Sequence, residues 1–231
     1  MNEVLRQEKK YLITAADVLK LSSVFEKVML QDEHNGSCGY MIRSLYFDTV
    51  DDNDYNDKIE GLELRRKIRL RVYDPKNDFA MLEMKQKHGD FQKKRSLKIS
   101  REDAKQLILC NYEVLKKYNT PFAAECYGFM HMHCYRPKTV VEYNRKAFIA
   151  KENKIRVTID TNIRANENCF DIFSENLPLF FVLDPFNAVL EIKFNGFMLS
   201  YIKTLTNFAD KSNLSISKYC LARSSTLKFS L

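Results

Sequence analysis

Arg69 and Arg71 lie two residues apart in the run Lys67-Ile-Arg-Leu-Arg-Val-Tyr73, and their type and spacing suit chemistry on an anion. Side chains alternate along a strand, so the two guanidiniums share one face while Ile68, Leu70 and Val72 take the other. The spacing recurs at Glu83, Lys85 and Lys87, opposite Leu82 and Met84, and again at Lys93 and Arg95. A guanidinium fork binds two oxygens of a phosphate at once, and a lysine ammonium acts as a point charge. A half-buried sheet with a solvated face alternates in the same way, but such faces mix Glu, Thr, Ser and Lys, because like charges on neighbouring strands repel by about a few tenths of a kcal/mol per pair. Between Arg65 and Lys98 there are twelve Lys or Arg against four Asp or Glu. A face so cationic calls for an anionic partner. Charge alone leaves open whether that partner is a nucleic acid, a phosphorylated metabolite or an anionic lipid.

The elements that must position these residues follow from the turns. Asp74-Pro75-Lys76-Asn77 and His88-Gly89-Asp90 break the cationic stretch into three strands of a two-hairpin meander. Ahead of it, residues 5–13 alternate with Arg6, Glu8 and Lys10 on one face. Thr14 and Asp17 form a capping-box signature for a helix whose apolar stripe is Val18, Leu19, Leu21, Val24, Phe25 and Val28. A strand is expected over 40–48, a short helix or loop over the acidic 51–58, and a helix after the Ser100–Asp103 capping signature. Residues 111–133 are helix-rich and divided by Pro121; strands resume at 137–150, 153–163 and 189–194. A helix over 197–208 and a tail containing Ser217-Lys218-Tyr219 finish the chain. Lys93, Lys94 and Arg95 compete for one inward role, since a one-residue register shift exchanges them.

With 231 residues, 45% hydrophobic and 29% charged, the composition is that of an ordinary globular protein, and we expect a single domain over residues 1–231. A net charge of +7 fits a polyanionic partner. The six cysteines show no C-x-x-C pair or zinc-like spacing, as in free thiols of a reducing compartment, and no apolar run reaches the length of a membrane span, so a cytoplasmic address is expected. His131 and His133 are not at the i, i+4 spacing of a zinc site, and no phosphate-binding glycine loop, dinucleotide fingerprint or serine elbow is present. Nucleic acid is not expected as a partner, because aromatic residues do not interleave with the cations as a stacking ladder.

About eight strands each have a charged and an apolar side. In an open sandwich the charged sides face solvent; in a closed barrel they line a lumen and the apolar sides meet outer helices. Nine short motifs in consistent order bear on the choice: R-x-E-x-K-Y at 6–11, S-x-Y-F-D-T at 44–49, K-x-R-x-R-x-Y at 67–73, E-x-K at 83–85, K-x-R at 93–95, Y-x-R-x-A-F at 143–148, R-x-T-x-D at 156–160, E-x-K at 191–193 and S-K-Y at 217–219. Together they resemble the catalytic domain of the vacuolar transporter chaperone (VTC) family, the polyphosphate polymerase branch of the triphosphate tunnel metalloenzymes (CYTH-like).

The resemblance implies an α+β fold built on a closed eight-stranded antiparallel β-barrel with helices packed outside. It implies binding of ATP or another triphosphate and of inorganic polyphosphate, a Mn²⁺ or Mg²⁺ cofactor, and transfer of the γ-phosphate of ATP to a growing chain. Lys10, Arg69, Arg71, Lys85, Arg156 and Lys218 are then the catalytic set, joined in phosphate binding by Lys93, Arg95, Arg145 and Lys193. Glu191 and Glu8 are the candidate metal residues, while Tyr46-Phe47-Asp48 and Tyr143 are expected to pack or to support neighbouring cations rather than to contact substrate. Hydrolysis of tripolyphosphate or nucleoside triphosphates is the alternative within the fold, and non-catalytic polyanion binding the alternative outside it. The chain departs from the wider superfamily at Arg6, where a glutamate is usual, and at Gly196-Phe197-Met198, where a proline and an aromatic residue are expected. Many eukaryotic relatives carry an amino-terminal inositol-phosphate-sensing domain and membrane helices; this chain is expected to be a free-standing tunnel that cannot itself translocate its product.

Overall fold

The computed structural model describes residues 6–89, 91–207 and 217–227. The elements run β1 (Arg6–Thr14), α1 (Ala15–Val28), β2 (Leu30–Gln31), β3 (Tyr40–Asp48), α2 (Asn53–Ile59), β4 (Leu64–Val72), β5 (Phe79–His88), β6 (Phe91–Ser100), α3 (Arg101–Ile108), α4 (Pro121–Met132), β7 (Arg136–Ala150), β8 (Ile155–Asn166), β9 (Phe180–Phe181), β10 (Asn187–Asn195), α5 (Ser200–Thr206) and α6 (Lys218–Leu227), with 3₁₀ turns at Tyr112–Lys117 and Glu152–Lys154. Local chemistry sets several boundaries. The Thr14 hydroxyl accepts from the Asp17 amide at 3.2 Å while the Thr14 amide donates to the Asp17 carboxylate at 3.1 Å, closing the capping box that starts α1. Ser100 caps α3 through the Asp103 amide, and Pro121 opens α4 behind the N-cap Thr120. Among the described residues no helix is long and apolar enough to cross a membrane.

Hydrogen bonding orders the strands β1-β10-β8-β7-β3-β4-β5-β6, with β2 on β7 and β9 on β8, giving a ten-stranded antiparallel sheet. This corrects the closed eight-stranded barrel. The path has two ends, β1 and β6, and no pairing joins them among the described residues. Alternation puts charge on one side and aliphatics on the other whether or not a sheet closes, so it does not encode closure. Strand β6 is built as an edge: Phe91–Lys94 are exposed, and Lys93, Lys94, Arg95 and Lys98 supply the positive charge that keeps a bare edge from pairing with another chain. The fold remains α+β.

The described chain divides into two compact units. The first comprises residues up to Met41, Tyr143–Arg164 and Phe181–Ser217, and its core gathers Ile13, Leu21 and Phe25 with Phe148, Val157, Ile159, Leu190, Ile192 and Ile202. The second comprises Ile42–Glu142, Ala165–Phe180 and the segment from Lys218, and its core gathers Leu45, Phe47, Ile68, Leu70, Leu82, Met84, Leu107, Met130, Ile172 and Phe173. Buried apolar side chains are the largest favourable contribution to each, at roughly 1.5–3 kcal/mol per fully buried Leu, Ile or Phe. In the second unit Arg43 fastens the 165–180 segment, donating from Nε to Glu142 at 2.7 Å and from Nη1 to the carbonyls of Ile172 and Ser174 at 3.0 and 2.5 Å. The expected tail at Ser217–Tyr219 instead enters helix α6, which starts at Lys218, and the expected 197–208 helix is shorter, described from Ser200 to Thr206.

Candidate functional site

In the second unit, strand pairing fixes which cations share a face. The register Arg69↔Glu83↔Ser96, Lys67↔Lys85↔Lys94 and Arg65↔Lys87↔Gln92 lines up successive rows, and Arg71 pairs with Met81 on one side and Ser44 on the other. Their neighbours Ile68, Leu70 and Val72 are buried in the core on the opposite face, as the alternation predicts. Arg69 and Arg71 are themselves only 8% and 6% exposed, so their charges need fixed partners. Arg69 donates from Nε to Glu83 Oε2 at 2.7 Å and from Nη1 to the Tyr46 hydroxyl at 3.0 Å. Arg71 donates from Nε to Ser44 Oγ at 3.1 Å and lies 3.9 Å from Glu83 Oε2, while Lys94 reaches the other Glu83 oxygen. Burial alone would raise the Glu83 pKa, but Arg69, Arg71 and Lys94 pull it down to about 2. One carboxylate thus answers three cations, with Lys67 and Lys85 in the next row.

The register also separates the three competitors on β6. Lys94 shares the face of Arg69 and Lys85. Lys93, opposite Gln86, and Arg95, opposite Met84, lie on the other face. Arg95 there pairs with Glu125 of α4, donates to Gln86 Oε1 at 2.7 Å and sits over the Phe122 ring at 5.1 Å. The structure therefore does not bring Lys93 and Arg95 together with Arg69 and Arg71. The two-residue connection between His88 and Phe91 sets this register.

In the first unit, Glu8, Lys10, Glu191, Lys193, Arg156, Thr158 and Asp160 share one face through the pairs Glu8↔Lys193↔Arg156, Lys10↔Glu191↔Thr158 and Val189↔Asp160. Lys10 Nζ lies 2.5 Å from Glu8 and 3.8 Å from Glu191, and Lys193 contacts Glu191 and lies 3.8 Å from Glu8. Burial opposes the charge on Lys10, yet Glu191 and Glu8 raise its pKa; burial and Glu191 likewise oppose the charge on Glu8, yet Lys10 and Lys193 lower its pKa. Arg145 forms a bidentate pair with Asp160 at 2.6 and 2.8 Å, and Arg156 donates to Asp32 at 2.8 Å and to the Tyr40 hydroxyl at 3.1 Å. Gly39 is required beside Arg145: its φ is +83°, and a Cβ would lie 2.3 Å from the Arg145 carbonyl oxygen.

The two faces differ in balance. Four cations of the first (Lys10, Arg145, Arg156, Lys193) meet four carboxylates (Glu8, Asp32, Asp160, Glu191), whereas in the second Glu83 is shared by Arg69, Arg71 and Lys94. Excess positive charge sits on β4–β6, and the residues able to hold a cation sit on β1 and β10. Among the described residues no group of three or more His, Cys, Asp or Glu is arranged to enclose a metal by itself. Lys218 is the first residue of α6, and its neighbour Tyr219 stacks on Tyr46 with ring centroids 5.1 Å apart, which places the helix start beside the Arg69 side of β3 and β4. Ser44 and Asp32 went unnoticed as partners of Arg71 and Arg156. Ser44 falls on the face of Arg71 once register is known, but Asp32 lies in a loop without periodicity.

The family model of the VTC domain matches residues 5–227. The chain belongs to the VTC domain family. Among solved structures this VTC domain is similar to a candidate adenylyl cyclase from Hippeastrum whose dominant activity is described as triphosphatase, at 14% identity and a TM-score of 0.57, over 94% of this chain and 95% of that one. It is also similar to a candidate adenylate cyclase from Bacillus halodurans, at 13% identity and a TM-score of 0.49, over 92% and 95% of the two chains. The Hippeastrum likeness establishes a shared fold. No curated protein matches the sequence.

Proposed function

We propose that this VTC domain acts on triphosphates, and that its reaction is transfer of the γ-phosphoryl group of ATP to the end of an inorganic polyphosphate chain. The observation that carries the reading is the pair Arg69 and Arg71, buried on one strand face with Lys67, Lys85 and Lys94 in the adjoining row and Glu83 shared by Arg69, Arg71 and Lys94. Such a face is preorganised for the oxygens of a phosphate chain and offsets the charge that builds on the transferring group. In the reaction the bond between the γ-phosphorus and the β,γ-bridging oxygen breaks, a terminal phosphate oxygen of the chain bonds to that phosphorus, and ADP leaves. Family membership supports the assignment; Lys10, Arg145, Arg156, Lys193 and Lys218 complete the proposed phosphate-binding set.

Glu191 and Glu8 would hold a Mn²⁺ or Mg²⁺ ion. They are neighbouring hard oxygen donors, too few to enclose an ion alone, which suits cations that take much of their coordination from phosphate and water. When bound, the ion would polarise phosphate oxygens and offset their charge. Lys10 and Lys193 neutralise the same carboxylates otherwise.

Hydrolysis is the second reading, favoured by the triphosphatase activity described for the Hippeastrum protein. The same faces would then deliver the γ-phosphoryl to water. Incubating the purified protein with ATP and Mn²⁺ or Mg²⁺, then resolving polyphosphate on a gel and measuring free phosphate, separates the two. Long chains with ADP are expected. Phosphate alone supports hydrolysis, and tripolyphosphate binding that survives EDTA without turnover under either metal leaves a non-catalytic polyanion binder.

A further inference from the structure

Helix α6 is held by polar contacts from Tyr219, Arg223 and Ser224. The Tyr219 hydroxyl donates to Asp48 Oδ2 at 2.5 Å, Arg223 pairs with Asp52 and donates to Glu167 at 2.8 Å, and Ser224 Oγ lies 3.1 Å from the Tyr55 hydroxyl. Tyr219 and Arg223 share a face because they are four positions apart, and Ser224 follows on the adjoining flank. Three of their partners, Asp48, Asp52 and Tyr55, come from the short stretch that ends β3 and enters α2.

Asp48 is the fixed point of this arrangement. It is fully buried, and its carboxylate accepts the amides of Thr49, Asp54 and Tyr55 at 2.7, 2.9 and 2.9 Å in addition to the Tyr219 hydroxyl. The Tyr219 ring stacks on Tyr46 at an interplanar angle of 24°, Tyr46 in turn accepts from Arg69, and Lys67 Nζ lies 5.9 Å from the Tyr219 ring centroid. A phenylalanine would fill the same volume and keep the stack. What the hydroxyl adds is a directional bond to a carboxylate that cannot shift, which fixes the depth and rotation of the first turn of α6.

We propose that Asp48 and Tyr219 are positioning residues whose hydrogen bond, backed by the Tyr46 stack, seats the first turn of α6 so that Lys218 engages the same anion as Arg69. The proposal rests on reading Lys218 and Arg69 as phosphate-binding cations. It assigns the aromatic residue after Lys218, and an aspartate 171 positions away, to substrate affinity without either touching substrate.

The test is a double-mutant cycle on the full chain, with tripolyphosphate affinity measured calorimetrically without metal and thermal midpoints recorded alongside. Lys218→Ala is expected to weaken binding about tenfold, Tyr219→Phe several-fold, and the double variant no more than Lys218→Ala alone. Tyr55→Phe, which removes a different α6 hydroxyl bond, is expected to leave affinity unchanged; equal losses for Tyr55→Phe and Tyr219→Phe would show general loosening of the helix and overturn the proposal. Multiplying effects of Lys218→Ala and Tyr219→Phe would also overturn it, as would wild-type affinity in Tyr219→Phe. Arg69→Ala separates the layers: its loss of binding with none for Lys218→Ala defeats only the positioning proposal, whereas no loss for Arg69→Ala defeats the cationic-face reading beneath it.

Discussion

Glu83 stands directly opposite Arg69 across β4 and β5, and its Oε2 accepts Arg69 Nε at 2.7 Å while its Oε1 is taken by Lys94. The carboxylate therefore occupies positions on these cations that a phosphate would claim. Under the proposed phosphate-binding role, substrate and protein stability would compete for the same guanidinium.

Glu83→Gln should separate the two. Triphosphate affinity should rise several-fold, because an anion leaves a face that binds anions, while stability at neutral pH should fall by about 1–3 kcal/mol as Arg69, Arg71 and Lys94 lose their shared partner. The acid limb should change as well. A carboxylate whose folded pKa is depressed to about 2 contributes stability that is present above the ordinary carboxylate range and lost as pH falls through the folded value, a contribution on the order of 3 kcal/mol here. Urea denaturation of the variant between pH 5 and 2 should therefore show a flatter decline than the parent; an identical slope would mean that Glu83 does not titrate there.

Asp54 tests the opposite sign. It is buried, accepts from the Tyr135 hydroxyl at 3.0 Å, and burial together with the neighbouring Asp48 charge raises its pKa to about 7. The folded state thus holds a proton that the unfolded chain releases near the ordinary aspartate value. Stability from this group is full below that value and declines as pH rises towards about 7, by up to ~4 kcal/mol. Asp54→Asn keeps an acceptor for Tyr135 and cannot ionise, so it should be more stable than the parent at pH 8 and lose much of the slope between pH 5 and 8. Parallel profiles for the two proteins would exclude titration of Asp54 in that window.

The face split of β4 was legible in the sequence because a period of two needs no tertiary information, and Thr14 and Ser100 announced their helices through side chains that bond only locally. Closure was not legible, since it depends on whether β1 and β6 pair, and neither strand's alternation carries that information. Lys94 rather than Lys93 or Arg95 joins Arg69 because of a connection only two residues long, where one residue more or fewer reverses every side chain. Helix α6 was missed for another reason: among its described residues it buries only Tyr219, Cys220 and Ala222 and is otherwise held by polar contacts of Tyr219, Arg223 and Ser224, so no long apolar stripe marks it.

Glu191→Gln addresses the metal. It keeps the size of the side chain and removes the charge beside Glu8, Lys10 and Lys193. Turnover with Mn²⁺ or Mg²⁺ should vanish, while metal-free tripolyphosphate affinity should stay the same or increase, because one repelling anion is gone. Activity within about twofold of the parent would remove Glu191 from the proposed metal-holding pair.

The two sides of β4 allow a paired experiment in which adjacent residues give opposite results. Arg71 lies on the cationic face, donating to Ser44, and Leu70 is fully buried in the core with Leu82. Arg71→Ala should cost triphosphate binding about 1.5–3 kcal/mol, the range for a charged hydrogen bond, with little loss of folding stability because Arg69 and Lys94 still compensate Glu83. Leu70→Ala should remove roughly 2–5 kcal/mol of stability through the cavity it leaves, while the folded fraction binds with nearly unchanged affinity. Calorimetric titration and urea denaturation on both variants give the four values. A merely solvated cationic surface predicts a different pattern: a small, strongly salt-dependent loss for Arg71→Ala, matched by exposed lysines such as Lys98. A large loss at Arg71 that persists in about 0.3 M salt, against a small one for Lys98→Ala, is the expected outcome; equal and salt-sensitive losses at both would defeat the phosphate-binding role of this face.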